Sequence, residues 1–483
     1  MIFSDKLLLL LSRFSKQDLN RFRKMVDSPY YNEREDLCRL FSYIHPLLKK
    51  ESAWAESLSK QRVFEAVWPG QPFHDGRLRH LASDLTQLAF RFIILQEREK
   101  RPWEDLLDLQ EGLQDPALKK HSDGTDRHIE MFLNTQKCMG TAYYFTGFRA
   151  YRTWYSIATH GARKSNTGLF LSASEQYLDI FYVVQKLKFY VEWLTLRATR
   201  STTDSFSEPE GFWQQAEQFR QVPLVSLYLN MIRCLENMDK EVYFFALLEQ
   251  LEQTGEQLTA EDCRDAYQVA QNYCAFKINS GDTAFYQQMF GIYQKMLASG
   301  LLLEGGVLAE GNYKNVITSG LRTGAFAWVE QFINDYSGLL PVHLRDNART
   351  FNLANLYSHQ RQHQKVIELL QNVEYSDVMY ALSSKIILIR TYYDLGEFLT
   401  LDSLLESFRI YIRRNQLISN NLKSEYLKFI HFVRQLTRLD LYDKVQLARL
   451  KQKVAAATSA TPKKWLQEKI EALEQGKKPR RKA

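Results

Sequence analysis

FNLANLYSHQRQHQKVIELLQNV (351–373) lies over IILIRTYYDLGEFLTLDSLLESF (386–408) at an offset of 35 residues. Leu353 falls on Leu388, Ala354 on Ile389 and Tyr357 on Tyr392. Beyond the middle, Val366 falls on Leu401, Leu369 on Leu404, Leu370 on Leu405 and Val373 on Phe408. Each half carries apolar residues three and four apart, the period of a helix buried on one face. Between the halves Gly396 can end the first helix in a left-handed conformation. Weaker copies of this turn stand at Gly281 and Gly324, Arg361 takes the glycine place in the intervening unit, and a looser turn falls near Asp239. The steps from one turn to the next are 43, 37 and 35 residues. A helix pair of this length cannot bury its own apolar stripe, whereas a stack of pairs builds one continuous core and leaves a curved face. The alternative is an irregular helical bundle with chance self-similarity.

TYYDLGEF (391–398), an aromatic pair followed by Leu-Gly-acidic-aromatic, resembles the turn of tetratricopeptide repeats, whose period is about 34 residues. The resemblance covers roughly 223–415 and implies an all-α array, a TPR-like α-solenoid of antiparallel helix pairs. In that family the first helix of each pair lines the concave face. Matched residue by residue, the groove positions here are Lys314, Thr318, Arg322, Asn355, Ser358, Arg390 and Tyr393. Family members that bind peptide C-termini hold the carboxylate with Lys, Arg and Asn at such positions. The resemblance therefore implies a groove for an acidic or C-terminal peptide; the alternative is ordinary polar groove residues.

Outward from the repeat, the chain end reads as a cap. Asn420 or Asn421 opens one helix, and Thr461 with Pro462 opens another bearing Trp465, Leu466, Ile470 and Leu473. Toward the N terminus, Ser15 with Asp18, Asn32 with Glu35, and Ser59 read as helix starts. Leu78, Leu81, Leu85, Leu88, Phe92 and Leu95 form one seam of a helix near 76–98. Residues 112–127 and 200–211 read as connectors. Two long helices near 128–160 and 173–199 are apolar on most sides, which predicts burial between neighbours. The expected organisation is an N-terminal helical domain (1–111), two long buried helices (128–199), the repeats (212–440), and capping helices with a basic tail (441–483). SPYYNEREDLCRLFSYI (28–44) and VFEAVWPGQPFHDGRLRHLASDL (63–85) resemble segments of a family of uncharacterised bacterial helical proteins. The second stretch also loosely resembles the recognition-helix region of bacterial transcriptional activators that join a winged helix to tetratricopeptide units, although no wing strands are visible.

Composition bounds the function. Of 483 residues 45% are apolar, enough for a packed core and too many for a wholly disordered chain. The formal charge is +7, but residues 444–483 hold 12 Lys/Arg against 3 Glu, which leaves −2 for the rest. The run Leu7–Leu11 is too short and too acidic at its start for a signal peptide, and no window suits a membrane helix. Five dispersed cysteines suggest reduced thiols, so a cytoplasmic protein is expected. Phosphate loops and the GxSxG elbow are absent. His359 and His363 are four apart but fall across a turn with no third ligand in view, and read as surface histidines. No catalytic, cofactor or metal residue is assigned. The expected function is a non-catalytic scaffold or adaptor that grips a protein or peptide, with Lys314, Arg322, Asn355, Arg390 and Tyr393 in the groove. The alternative is a nucleic-acid-binding regulator using the 59–98 element or the basic tail.

Overall fold

The computed structural model describes residues 3–48, 58–160, 166–199, 209–371, 378–439, 444–457 and 462–476. Among the described residues the protein is all-α, with 23 helices and one short strand pair. No helix there is long and apolar enough to cross a membrane. Two compact units divide the chain, Met1–Gln185 and Lys186–Ala483.

The first unit is built around α1 (Asp5–Ser12), α2 (Lys16–Val26), α3 (Glu35–Ile44), α4 (Lys60–Val67) and α5 (Asp75–Glu99). Ser15 and Asp18 close a capping box at α2, and Ser59 accepts from the Arg62 N–H at α4. The α5 seam is buried from Leu78 to Phe92 and joins Phe22, Leu40, Phe41 and Val63 in one core. Asn32 does not cap α3: Arg34 holds that place, and the Asn32 side chain bonds to the Val26 carbonyl and the Arg34 N–H. Then come α6 (Pro102–Gly112), α7 (Lys119–Thr135) and α8 (Thr141–His160), whose Leu107, Ile129, Leu133, Ala150 and Trp154 form a second core.

Two expectations fail here. The supposed connector 112–127 is helical from Lys119, because Thr125, Ile129 and Leu133 give α7 a buried stripe that outweighs Gly124. The supposed helix near 128–160 is two helices, broken at 136–140.

The helix α9 (Thr167–Thr199) runs from the first unit into the second. Gly147 on α8 lets α9 approach: a Cβ there would lie 2.3 Å from the Tyr177 ring. The long helices are not enclosed on all sides, since Phe145 and Leu178 are exposed.

The second unit continues with α10 (Phe212–Gln218) and then five consecutive helix pairs. These are α11 (Pro223–Glu236) with α12 (Glu241–Thr254), α13 (Ala260–Asn279) with α14 (Phe285–Ala298), and α15 (Glu310–Arg322) with α16 (Phe326–Tyr336). The last two are α17 (Arg345–His359) with α18 (His363–Leu370), and α19 (Val378–Leu395) with α20 (Phe398–Arg414). Three of the first helices also touch the next first helix: α11 with α13, α15 with α17, α17 with α19. The overlaid positions Ala354 and Ile389, and likewise Val366 and Leu401, are fully buried, whereas Val373 lies outside the described residues.

Four turns share one hydrogen-bond pattern. At Gly281, Gly324, Arg361 and Gly396 the backbone is left-handed, with φ of 101°, 76°, 57° and 74°. In each, the N–H of that residue bonds three residues back, and the next N–H bonds five back. The turn near Asp239 differs, with Lys240 N–H donating to the Asn237 carbonyl and no left-handed residue. The glycine-rich stretch 300–311 is partly a hairpin: Leu303 pairs with Leu308 across Gly305 and Gly306, both at positive φ.

After the pairs come α21 (Asn420–Arg438), α22 (Lys444–Ala456) and α23 (Lys463–Glu474). Ser419, not Asn420 or Asn421, caps α21, accepting from the Leu422 N–H. Pro462 takes the N-cap place of α23, one residue earlier than the expected first helical position. Thr461 lies outside the described residues.

A buried polar knot ties the start of this unit. Asp262 on α13 is 1% exposed and is held by Lys188 Nζ at 2.7 Å, Tyr228 Oη at 2.9 Å and Thr259 Oγ1 at 2.6 Å. Tyr228 also reaches Asp265 at 3.1 Å, and burial raises the Asp265 carboxyl above its ordinary range. A carboxylate this deep is tolerated only when paired and hydrogen-bonded.

Candidate functional site

The two histidines flank the Arg361 turn, so helical spacing between α17 and α18 sets their relation to α19. Ser358 and His359 end α17, and His363 begins α18. Arg390 and Asp394 stand one turn apart on α19. The closing helix α23 brings Trp465, Glu468 and Lys469 to the same place. Together these residues line a cleft of about 500 Å³.

The walls are fixed by packing. Tyr393 meets Trp465 edge-on at 5.4 Å between ring centroids, and the Phe429 ring lies 6.1 Å from Trp465. Lys469 pairs with Asp394 at 2.5 Å, which neutralises that carboxylate. Arg390 makes no hydrogen bond or ion pair among the described residues, and its guanidinium lies 6.0 Å from the Trp465 ring centroid. Burial lowers the Arg390 guanidinium below its usual range; Asp394 and Glu468 act against this and Arg322 adds to it. His359 is exposed by area yet crowded by its surroundings. That desolvation, followed by the charges of Arg322 and Arg390, pulls its imidazole below the usual histidine range. The Nδ1 atom of His363 is shut from solvent with no hydrogen-bond partner. The cleft thus holds a half-buried guanidinium that no described side chain bonds directly, with the Glu468 carboxylate in the same lining, and an unsatisfied imidazole nitrogen. Both are complementary to an anionic or hydrogen-bonding group.

Of the seven expected groove residues, the cleft brings together Ser358, Arg390 and Tyr393. Tyr393 is 1% exposed, so it is a wall and not an open contact, and burial raises its hydroxyl above the ordinary tyrosine range. Arg322 does not line the cleft but acts on it through its charge; its guanidinium sits 5.8 Å from the Tyr286 ring. Lys314, Thr318 and Asn355 lie elsewhere on α15 and α17, with the Thr318 hydroxyl donating to the Lys314 carbonyl. The reading by repeat position missed His359, His363, Trp465 and Lys469. The tryptophan on the closing helix was the available signal, because a stripe of aliphatic residues would suffice for a cap.

The alternative phosphate contacts fare differently. In 59–98, Lys60 and Arg79 both pair with Asp75 at 2.8 Å, and Arg77 lies 4.0 Å over the Trp68 ring. Those cations are engaged within their own element. Residues 477–483 of the basic tail lie outside the described residues. Among the described residues no three His, Cys, Asp or Glu side chains converge as metal ligands. Comparison of the chain with family profiles, curated proteins and solved structures gives no match.

Proposed function

We propose that this protein is a non-catalytic, TPR-like adaptor whose stacked helix pairs present the α17/α19/α23 cleft to an acidic segment of a partner protein. The array reading is supported by the recurrent turn at 281, 324, 361 and 396 and by first helices that touch the next first helix. The ligand reading is carried by one observation: Arg390 is half-buried in the cleft and unpaired. A guanidinium in that setting is poised for a carboxylate, through charge-assisted and bidentate hydrogen bonds. Trp465 supplies the apolar wall that such a side chain or chain end needs.

The test is fluorescence anisotropy with acidic peptides, each carrying a free or an amidated C terminus. A hydrogen-bonded charge contributes about 1.5–3 kcal/mol, so Arg390→Ala should weaken binding by about ten- to a hundredfold. A free C terminus that binds no better than the amide would assign the contact to an acidic side chain. Equal affinity of R390A and the parent protein sinks the proposal.

A further inference from the structure

A second cleft, of about 510 Å³, opens between α21 and α22 and is lined by His431, Arg434, Arg438, Arg449 and Lys453. Among the described residues no carboxylate lines it. Arg434 is spent, since its guanidinium pairs with Glu406 at 2.7 Å. Arg438, Arg449 and Lys453 are exposed and have no ion pair or hydrogen bond among the described residues. The contrast within α22 is informative: Lys451, on a different face, is tied to Glu474 at 2.8 Å. Arg449 and Lys453 are four apart on one face of α22, as Arg434 and Arg438 are on α21. Like charges at that spacing destabilise a helix. Arg449 and Lys453 on α22, with Arg438 on α21, therefore repel one another unless an anion lies between them.

We propose that this cleft is a binding site for the phosphodiester backbone of nucleic acid. Arg438 and Arg449 offer planar forks that match phosphate oxygens, and Lys453 adds a point charge. Apart from His431, no aromatic side chain among the described residues lines the cleft, so those residues offer bases no stacking platform. Recognition is then of the backbone alone, without sequence preference. The site is separate from the Arg390 cleft and stands whether or not that reading holds.

The salt dependence gives a quantitative test. Full-length protein is titrated with fluorescent dT20 and rU20 by anisotropy across salt concentrations. Three phosphate contacts predict a slope of log K against log salt near −2, at about −0.7 per contact on single strands. Arg449→Ala should weaken binding by about tenfold at low salt and make the slope shallower by about 0.7. The triple variant R438A/R449A/K453A should abolish binding while retaining the basic tail, and R390A should leave it unchanged. R438Q/R449Q/K453Q, with helicity checked by circular dichroism, repeats the loss in a second side-chain context. Three outcomes overturn the proposal: binding that survives in the triple variant, which would assign it to the tail; poly-aspartate competing as well as the oligonucleotides; or inorganic polyphosphate binding where the oligonucleotides do not.

Discussion

Arg361 holds the position that glycine holds in three equivalent turns, at φ 57° against 101°, 76° and 74°. Its N–H and that of Gln362 make the same two hydrogen bonds as their counterparts. The left-handed conformation costs a side-chain-bearing residue about 1–2 kcal/mol, because Cβ crowds the following carbonyl. Glycine avoids this but gives up about 0.5–1 kcal/mol through the freedom of its unfolded chain. Arg361→Gly should therefore stabilise the α17/α18 pair by about 0.5–1 kcal/mol. The reverse exchange, Gly324→Ala or Gly281→Ala, should destabilise by about as much. A Cβ at either glycine meets no atom within 4 Å, so no steric clash confuses the comparison. Native-state hydrogen exchange of peptides from the two flanking helices reads the change locally, which suits an array that need not unfold in one step. About 1 kcal/mol corresponds to roughly a fivefold change in exchange rate. If R361G exchanges faster than the parent, or if G281A and G324A leave their helices unchanged, the equivalence of these turns is refuted.

Lys188→Met should strand the Asp262 carboxylate and cost about 3–5 kcal/mol, seen as faster exchange in α11 and α13, whereas K188M/D262N should recover part of the loss. Gly320→Ala places a methyl 2.5 Å from Val329 Cγ2 and 3.1 Å from Phe290 Cε2; it should cost about 1–3 kcal/mol in thermal or urea unfolding, and Val329→Ala in the same chain should relieve it. Glu406, hydrogen-bonded by Arg409 and Arg434, has its carboxyl pushed down to about 2. The tie from α20 to α21 should thus hold above the ordinary carboxylate range and loosen as pH falls toward 2, a change that Glu406→Gln removes and that exchange in α21 would report. His359 is held below its usual range by crowding and by Arg322 and Arg390, which favours its neutral form in the free protein. An anion seated on Arg390 favours its protonation, so acidic-peptide affinity should rise as pH falls below 7, and His359→Gln should flatten that dependence in anisotropy.

Helix positions were legible where one physical signal dominated. The α5 seam and the Ser15–Asp18 box could be read directly, because period and capping chemistry agreed. Gly124 and Pro116 misled the reading of 112–127, since breaker residues near a helix start cost less than the burial of Ile129 and Leu133 returns. The cleft was only half legible. Position in a repeat located Ser358 and Arg390, because the offset between Leu353 and Leu388 fixes which face each residue shares. The same rule put Lys314 and Asn355 in the groove, since it assumes that every unit faces an open concave side. Here α23 packs against α19 through Trp465 and Lys469, and these residues wall the cleft. That closure lies 75 residues beyond Arg390 in sequence and obeys no repeat, so no local pattern could announce it. The same closure shapes the surroundings of Arg390: Trp465 lies beside its guanidinium, Lys469 pairs with Asp394, and Glu468 joins the lining. A closing helix can thus change the surroundings of an arginine on a distant helix without any change in that helix's own sequence.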